Sequence, residues 1–408
     1  MPTRGTLTLA LGQMANPASD GAETEASALD RLLAGVVDVL PAGKLAEQLA
    51  SGRKLRVKFG MDPTSADIHL GHTVVLQKLR AFQDLGHLVV LVVGDYTARV
   101  GDPSGRDSTR PVLSADDIER NAETYREQAF KVLDPERTEI RRNSEWLEMP
   151  SAELFDLVRR FTVARLLERD DFRQRMERAE PISTLELLYP VLQGYDSVAI
   201  EADIELGATD QTFNLLFGRD VQEAFGQAPQ SILTMPLLVG TDGIRKMSKS
   251  YDNYVGVTDE PAEMFGRLMS VSDEAMADYY RLLLELTPSP GIHPMEAKRE
   301  LGRTLVARFH DDAAARAAEE RFDAVHGRRE IPDDIPEVAL GGGEDRIHLP
   351  ALLAKAFGIS SSEARRLIAQ GGVKLDGEAV DPEALDLPGA ELRGRVVQVG
   401  KRRFARLV

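Results

Sequence analysis

The spacing of apolar and polar positions changes several times in the first part of the chain. Residues 55–59, Leu-Arg-Val-Lys-Phe, alternate apolar and polar side chains, which predicts a short strand. From Thr73 onward apolar residues recur at helical spacing, and residues 88–93 form an apolar run typical of a strand buried on both faces. Residues 60–68, between the first strand and the helix, are rich in turn formers. The pattern therefore predicts a right-handed strand–helix–strand unit.

Strand-like and helix-like segments alternate over residues 29–257, which predicts an open parallel α/β sheet. Within it, residues from about 115 to 181 are charged and helical, and we interpret them as an insertion between two halves of the sheet. Residues 258–328 carry amphipathic helical patterns. Residues 329–345 combine two prolines, three successive glycines and six acidic side chains, and are interpreted as a linker. Residues 346–408 are predicted to form a separate small α+β domain.

The small domain has a pattern of its own. Apolar residues between Leu352 and Phe357 predict a short helix, and a second helix is expected to be capped by Ser361 or Ser362. The second helix carries Arg365 and Arg366, and a turn and a strand follow over residues 371–377. Two adjacent arginines on one helix favour an RNA backbone as the partner, although a solvated helix face is the alternative.

Composition and charge narrow the class of protein. The 408 residues include no cysteine, which excludes disulfides and thiolate metal sites, and no apolar run is long enough to cross a bilayer. We therefore expect a cytoplasmic protein without a dedicated metal site, and we interpret residues 1–28 as a disordered amino-terminal extension. The net charge is −16, but residues 347–408 carry ten Lys/Arg and seven Asp/Glu, a local charge of +3 against −19 elsewhere. Nucleic acid would accordingly bind to local positively charged patches rather than to the whole surface.

Two short motifs carry candidate chemistry. His69-Leu70-Gly71-His72 stands where the first predicted helix begins, and free N–H groups and the helix dipole favour phosphate at such a position. Gly71 would allow a nucleotide to approach closely, because glycine has no Cβ atom. The alternative is that both histidines only cap the helix. The second motif, residues 246–250 (Lys-Met-Ser-Lys-Ser), follows a predicted hairpin, and its two lysines could stabilise negative charge that develops on pyrophosphate.

Together, and in this order, the motifs resemble the two ATP-binding motifs of class I aminoacyl-tRNA synthetases. Residues 101–106, 189–196 and 207–211 resemble the tyrosyl-tRNA synthetase family in particular, and the small domain resembles the S4 RNA-binding fold. The resemblance implies a Rossmann-like catalytic domain over residues 29–257, a helical anticodon-binding domain over residues 258–328 and an S4-like RNA-binding domain. It implies activation of L-tyrosine with ATP and Mg²⁺, transfer to tRNA(Tyr), and a homodimer formed through the insertion.

The resemblance also assigns roles to individual residues. Catalysis is assigned to Thr64, His69, His72, Arg106, Arg110, Lys246 and Lys249. Substrate binding is assigned to Lys58, Gly60, Asp62, Asp102, Tyr189, Gln193, Asp196 and Gln211. ATP binding is assigned to Gly71, His72, Ala208, Asp210 and Lys249.

The family pattern further implies that Tyr189, Gln193 and Asp102 hold the substrate ammonium and that Asp196 accepts a hydrogen bond from the substrate hydroxyl. Lys58 departs from that pattern, because many members have a tyrosine that helps to bind the phenol there. This departure leaves part of the hydroxyl recognition unassigned. Two alternatives to a tyrosyl enzyme are a tryptophanyl-tRNA synthetase and a non-catalytic RNA-binding protein derived from a synthetase.

Overall fold

The computed structural model describes residues 25–63, 67–103, 114–326, 335–340, 346–383, 385–400 and 403–408. These residues form two compact units. The first unit contains the described residues up to Asp259 together with Ser270–Lys298, and the second contains Glu260–Met269 and Arg299–Val408. Three residues with predicted roles lie outside the described residues: Thr64, Arg106 and Arg110. Most of the predicted amino-terminal extension also lies outside them.

A six-stranded sheet forms the centre of the first unit, in the order β1-β6-β5-β2-β3-β4. Its strands are β1 Asp38–Leu40, β2 Arg56–Met61, β3 Leu88–Val93, β4 Thr138–Arg142, β5 Ile204–Ala208 and β6 Ser231–Met235. Strands β2 to β6 run parallel, and β1 lies antiparallel to β6 at the edge. The order of connections reverses between β2 and β5. In open parallel sheets, ligands bind at the carboxyl ends of the strands beside such a reversal.

Helices cover this sheet and continue into the second unit. Their bounds are α1 Glu25–Leu33, α2 Lys44–Ala50, α3 Leu70–Asp84, α4 Thr97–Val100, α5 Ala115–Ala129, α6 Ser144–Leu147, α7 Ser151–Val158, α8 Val163–Leu166, α9 Asp170–Glu177, α10 Thr184–Ala199, α11 Thr212–Ala224, α12 Pro261–Met269, α13 Asp273–Tyr279, α14 Pro294–Phe309 and α15 Asp312–His326. The predicted strand–helix–strand unit is confirmed as β2–α3–β3, with β3 at the predicted bounds. Within the described ranges, no helix is both long enough and apolar enough to cross a membrane.

The predicted insertion is wrong at its start. Residues 115–181 include β4, which pairs with β3 and belongs to the central sheet. The sequence of β4, Thr-Glu-Ile-Arg-Arg, lacks the apolar pattern by which a buried strand is predicted. Strand β4 lies at the edge of the sheet, and an edge strand tolerates charged side chains that a central strand does not. The segment between β4 and α10, which holds α6 to α9, is the helical part that leaves the sheet.

The predicted amphipathic helices of residues 258–328 are present as α12 to α15. They do not all belong to the same compact unit. Helix α13 lies in the first unit, whereas α12 and α15 pack in the second. The rings of Phe265 and Phe322 meet there at a centroid distance of 5.6 Å. Gly302 gives Phe265 room, because a Cβ atom at residue 302 would lie 2.9 Å from that ring.

The carboxy-terminal part of the second unit is a small α+β domain, as predicted. A five-stranded sheet has the order β10-β9-β12-β13-β7, and a two-stranded sheet pairs β11 with β8. The elements are β7 Glu337–Val338, β8 Arg346–His348, α16 Leu349–Phe357, α17 Ser361–Ala369, β9 Val373–Leu375, β10 Glu378–Ala379, β11 Asp386–Pro388, α18 Gly389–Leu392, β12 Val396–Val399 and β13 Arg403–Leu407. Asp376 and Gly377, both at positive φ, form the turn between β9 and β10.

Two details of the small domain differ from the predictions. The interpretation of residues 329–345 as a linker fails at β7, which pairs with β13, and Leu340 after it is buried in the apolar core. The cap of α17 is Ser360 rather than Ser361 or Ser362, since its Oγ accepts a hydrogen bond of 3.1 Å from Glu363 N. Arg365 and Arg366 are exposed on α17, as an RNA-binding face requires.

Candidate active site

Backbone pairing brings the two predicted motifs together. Leu70 N donates to Val255 O at 2.9 Å, and Val257 N donates to Ile68 O at 3.0 Å. The chain that follows the lysine motif is therefore paired with the chain that enters α3. The predicted hairpin before the lysines is also confirmed, because Gly240 N donates to Arg245 O and Met247 N donates to Leu238 O, both at 2.8 Å.

His69 and His72 form the amino-terminal cap of α3. Nδ1 of His69 accepts from Gly71 N, and Nδ1 of His72 accepts from His69 N, each at 3.2 Å. Capping is thus a real role of the pair, and it also orients the rings. An imidazole whose Nδ1 accepts carries its hydrogen on Nε2 when neutral, so each ring keeps one N–H donor for a ligand.

Electrostatics keeps both rings neutral. Burial, reinforced by the positive charge of Lys249, lowers the pKa of His72 to about 4. Burial likewise lowers the pKa of His69 well below its ordinary value, with further lowering from His72, Lys249 and Lys246. The two histidines therefore act at neutral pH as hydrogen-bond donors and not as cations.

Gly71 is required by the motif itself. A Cβ atom at residue 71 would lie 3.0 Å from the ring of His69 and 3.6 Å from Cβ of Met247. A side chain here would push the capping histidine away and separate the two motifs. Glycine at this position therefore allows the two motifs to pack together, in addition to the close approach of a nucleotide predicted from the sequence.

Both lysines of the second motif form ion pairs with carboxylates of the first unit. Lys246 Nζ lies 2.7 Å from Oδ2 of Asp210, and Lys249 pairs with Asp67. Lys249 Nζ also lies 5.5 Å from the centre of the Tyr254 ring. These contacts place Lys246 at Asp210, which belongs to the predicted ATP-binding set, and Lys249 at Asp67, two residues before His69.

A second group of predicted residues gathers at the carboxyl end of β2. Tyr189 OH donates to Oδ2 of Asp62 at 2.9 Å, and Thr97 Oγ1 donates to Oδ1 at 2.8 Å. Gly94 leaves the space for this arrangement, since a Cβ atom there would lie 2.0 Å from Asp62 Oδ1. Gly60, which lies in β2 two residues before Asp62, is exposed and has no neighbour within 4 Å of a built Cβ atom.

Asp102 and Gln211 belong to a closed ring of hydrogen bonds and ion pairs. Gln211 Nε2 donates to Asp102 Oδ2 at 2.8 Å, and Asn214 Nδ2 donates to Gln211 Oε1 at 3.0 Å. Arg169 completes the ring, because it donates to Asn214 Oδ1 at 2.7 Å and lies 3.6 Å from Asp102 Oδ1. Its side chain is only 5% exposed, so this arginine of the helical segment holds two predicted substrate residues in place.

Helix α10 carries the remaining predicted substrate residues on one face, as predicted. Tyr189 is buried, and Oε1 of Gln193 is a buried acceptor without a hydrogen-bond partner among the described residues. A buried acceptor of this kind favours a ligand with N–H groups, because an unpaired polar atom is costly to bury. One turn further along the helix, Asp196 is 3% exposed.

Asp196 has two donors that the sequence did not reveal. Trp146 Nε1 donates to Oδ1 at 2.8 Å, and Asn143 Nδ2 lies 3.4 Å from Oδ2. Burial raises the pKa of this carboxyl to about 7, while Lys58 and the two donors oppose the rise. Asn143 and Trp146 come directly after β4, so recognising β4 as a sheet strand would have placed them at the carboxyl edge with the other site residues.

Lys58 lies beneath the site rather than in it. Its side chain is completely buried, and Nζ lies 2.9 Å from Gln193 O, 2.8 Å from Ser197 Oγ and 2.9 Å from Glu205 Oε1. The three N–H groups of the ammonium are matched by three acceptors. A direct contact of Lys58 with a ligand, as the substrate-binding assignment implies, has no support in this geometry.

Ala208 ends β5, and Asp210 and Gln211 follow it in a short 3₁₀ helix over Thr209–Gln211. The strands β2, β3, β4 and β5 thus each deliver site residues at their carboxyl ends, on both sides of the point where the strand order reverses. In the described part of the chain, no three His, Cys, Asp or Glu side chains are grouped as metal ligands.

Comparisons with known proteins agree with this arrangement. The family model described as tRNA synthetases class I (W and Y) matches residues 50–327, and the S4 domain model matches residues 349–385. A tyrosine–tRNA ligase of Moorella thermoacetica is 51% identical over 392 residues, which cover 91% of this chain and 94% of that protein. The tyrosine–tRNA ligase of Geobacter sulfurreducens is 49% identical over 390 residues, which cover 91% of this chain and 96% of that protein.

Among solved structures, tyrosyl-tRNA synthetase of Archaeoglobus fulgidus complexed with L-tyrosine superposes with a TM-score of 0.59. It is 21% identical and covers 72% of this chain and 99% of its own. This likeness concerns the fold alone.

Proposed function

Since the chain belongs to the class I tRNA synthetases that handle tryptophan and tyrosine, we propose that its site activates L-tyrosine with ATP and transfers it to tRNA(Tyr). The observation that carries the proposal is the hydrogen-bonded pair of Asp196 and Trp146 at the carboxyl edge of the sheet. A carboxylate held there by N–H donors suits a phenol hydroxyl, whereas the indole of tryptophan offers no hydroxyl to it. Relatives of about 50% identity over nine-tenths of the chain are tyrosine–tRNA ligases, which favours tyrosine over tryptophan.

The site would recognise the tyrosine substrate at both of its ends, the hydroxyl and the ammonium group. Asp196 accepts the hydrogen bond of the substrate hydroxyl. At the other end, Tyr189 OH, Gln193 Oε1 and Asp102 receive the ammonium group, with Asp62 fixing the orientation of Tyr189. Gln211, held by the ring that contains Arg169, faces the carboxylate region of the substrate. Exposed Gly60 leaves the carboxyl end of β2 open to it.

ATP would lie against the cap of α3 and the end of β5. The neutral ring of His69 donates from Nε2 to the γ-phosphate and that of His72 donates to the adenosine, while Gly71 keeps both rings in that orientation. Asp210 receives the ribose hydroxyls beside Ala208, which requires Lys246 to leave its ion pair. Lys246 and Lys249 then turn to the pyrophosphate, where Thr64, Arg106 and Arg110 are assigned by family pattern.

Activation is a single displacement. A carboxylate oxygen of tyrosine attacks the α-phosphorus, the bond from that phosphorus to the bridging oxygen breaks, and pyrophosphate leaves with the negative charge. No proton has to move, so positioning and charge stabilisation supply the rate. Mg²⁺ would enter as part of the Mg–ATP substrate, since magnesium is usually held through phosphates with few protein ligands. In the second step a hydroxyl oxygen of the terminal ribose of tRNA attacks the carbonyl carbon of the adenylate. The bond from that carbon to the phosphate oxygen breaks, the hydroxyl proton passes to the departing phosphate, and AMP leaves.

The small domain would hold the tRNA. Ala364 and Ile368 of α17 are buried in its core, which turns Arg365 and Arg366 outward. The excess of positive charge in residues 347–408 is suited to phosphate contacts, while the helices α12 to α15 are assigned to the anticodon by family pattern alone. An enzyme that charges tRNA would work in the cytoplasm, where it meets its tRNA.

Two copies of the chain would associate through the helical part of the predicted insertion, between β4 and α10, together with the start of α10. Four large apolar side chains are exposed there: Phe155 at 68%, Val163 at 58%, Met176 at 55% and Leu185 at 47%. Several large apolar side chains exposed in one segment favour a protein interface. Light scattering of Val163→Glu should give a monomer where the parent protein gives a dimer, and a dimer in both would move the interface elsewhere.

ATP–pyrophosphate exchange tests the proposal. We expect exchange that depends on tyrosine and is not supported by tryptophan. Exchange driven by tryptophan would favour the tryptophanyl alternative, and the absence of exchange from a folded protein that binds RNA would favour the non-catalytic one. The presence of His69, His72 and Lys249 in one assembled site speaks against the latter.

A further inference from the structure

A buried ion pair crosses the point where the sheet reverses its strand order. Lys58 on β2 and Glu205 on β5 are register partners on neighbouring strands, and their side chains are 0% and 1% exposed. Ion pairs this deeply buried are rarely worth their desolvation for stability alone. Their position under the amino-acid pocket therefore suggests a role in recognition.

The pair is tied to the turn of α10 that carries Asp196. Lys58 Nζ donates to the carbonyl of Gln193 and to the hydroxyl of Ser197, residues that lie on either side of Asp196. Ser197 Oγ in turn donates to Glu205 Oε2 at 3.2 Å, and Gln230 Nε2 also donates to that oxygen. All hydrogens of the Lys58 ammonium are used within this network, so none remains for a substrate.

We propose that Lys58 and Glu205 set the charge of Asp196 from beneath the pocket, so that Lys58 is a positioning residue for tyrosine recognition that never touches the substrate. The proposal rests on the proposed function, and it explains how a lysine can stand where many family members have a phenol-binding tyrosine. The hydroxyl is then read by Asp196 in its ionised form, and Lys58 supplies the positive charge that favours this form.

The groups that face Asp196 come from each element packed around it. Lys58 of β2 favours the ionised carboxyl, and so do the hydrogen bonds from Trp146 and Asn143 after β4. Burial and the negative charge of Glu205 on β5 disfavour it. The balance leaves the pKa of Asp196 at about 7, where a change of one neighbouring charge alters its state at physiological pH.

Removing Lys58 and removing Glu205 should therefore shift the pKa of Asp196 in opposite directions. Lys58→Met removes the favourable charge, and the pKa of Asp196 should rise by about 1–3 pH units. Glu205→Gln removes the unfavourable charge, and the pKa should fall. Gln230 can adapt to the second variant by turning its amide, since its Oε1 has no hydrogen-bond partner among the described residues. A network that only supported the fold would lose function in the same direction in both variants.

The experiment follows the acid limb of kcat/KM for tyrosine in pyrophosphate exchange, together with the ¹³C titration of the Asp196 carboxyl, assigned by its loss in Asp196→Asn. Expected results are a limb moved to higher pH in Lys58→Met, with recovery at alkaline pH, and a limb moved to lower pH in Glu205→Gln. The KM for ATP should stay constant. Lys78→Met is the matched control, because Lys78 is also buried but its Nζ donates to Arg31 O, away from α10.

Shifts of the same sign in both variants, or no shift in Glu205→Gln, would overturn the proposal. If Lys58→Met does not fold, Glu205→Gln still decides the question alone. The ¹³C titration does not depend on activity, so it also separates this proposal from the proposed function. A parent enzyme with no tyrosine-dependent exchange would overturn the function, whereas the titration would still show whether Lys58 and Glu205 control Asp196.

Discussion

Trp146 Nε1 donates a hydrogen bond of 2.8 Å to Oδ1 of Asp196. The chain has one tryptophan, and it lies against the carboxylate proposed to read the substrate hydroxyl. Ser144, two residues earlier, is fixed in turn by Asp95 at the end of β3, since its N and Oγ both donate to that carboxylate. The carboxyl edge of the sheet thus positions the donor as well as the acceptor.

We predict that Trp146→Phe weakens tyrosine binding by roughly ten- to a hundredfold, because a hydrogen bond to a charged group contributes about 1.5–3 kcal/mol. Phenylalanine keeps most of the packing and removes the N–H group. Equilibrium dialysis with labelled tyrosine measures the change, and the affinity for ATP serves as the internal control. An unchanged tyrosine affinity would mean that Asp196 does not need this donor.

The second prediction concerns pH. Because burial raises the pKa of Asp196 to about 7, the carboxyl takes up a proton as the pH falls through 7 and loses its acceptor charge. Tyrosine affinity should then fall by up to about tenfold for each pH unit below 7, and it should be level above pH 8. The intrinsic fluorescence of Trp146 can follow binding across this range. Asp196→Asn should show weak binding with no such dependence, and a parallel slope in that variant would point to another group.

The histidines should not contribute to this pH dependence. The pKa of His72 is lowered to about 4 and that of His69 lies well below its ordinary value, so both are neutral at neutral pH. With tyrosine and ATP saturating, the single-turnover rate of adenylate formation should therefore show no titration near pH 6.5. An NMR titration of the imidazole Cε1–H signals gives the direct check, and a midpoint near 6.5 for either ring would contradict the assigned donor role.

Lys249→Ala should lower the rate of adenylate formation by about 10²–10³ while tyrosine affinity stays the same, since the lysine acts on charge that grows in the transition state. Arg245→Ala is a suitable control, because Arg245 lies in the hairpin just before Lys249 but pairs with Asp242 rather than with a site carboxylate. Rapid-quench measurement of tyrosyl-adenylate separates binding from chemistry. A normal rate of adenylate formation in Lys249→Ala would mean that Lys246, or Arg106 and Arg110, stabilise the pyrophosphate instead.

Truncation should separate the two steps of the reaction. Because β7 and Leu340 belong to the small domain, the cut has to come before residue 335, and a chain ending at His326 keeps α15 whole. We predict that this chain retains tyrosine-dependent exchange but charges tRNA poorly, and that the lost contribution is strongest at low salt. Equal charging by both proteins across a range of salt would leave the small domain without a role in tRNA binding.

Local patterns were sufficient to predict much of the fold and part of the site. The apolar run of β3 and the helical spacing of α3 fix the first motif at a helix start, and the face of α10 follows from the spacing of Tyr189, Gln193 and Asp196. Strand β4 could not be predicted in the same way, because its charged side chains lie at a sheet edge where no periodic apolar signal is needed.

The rest depends on contacts between distant parts of the sequence. The burial of Lys58 is decided by Glu205, which comes from a strand far along the chain, and nothing near Lys58 indicates its partner. The same is true of Arg169, whose partners Asp102 and Asn214 lie on both sides of it in sequence. A side chain with such remote partners looks like an ordinary charged residue until the strands and helices are packed.

The central claim is that Asp196 selects tyrosine by its hydroxyl, and the most direct measurement compares kcat/KM for tyrosine and phenylalanine in pyrophosphate exchange by the parent enzyme and by Asp196→Ala. A site built around a substrate hydroxyl rejects the analogue without it by about 10⁴–10⁵, a figure that comes from a tyrosyl enzyme itself. We expect discrimination of this order in the parent enzyme and its collapse by several orders of magnitude in Asp196→Ala, through loss of tyrosine use. Full discrimination retained by Asp196→Ala would contradict it.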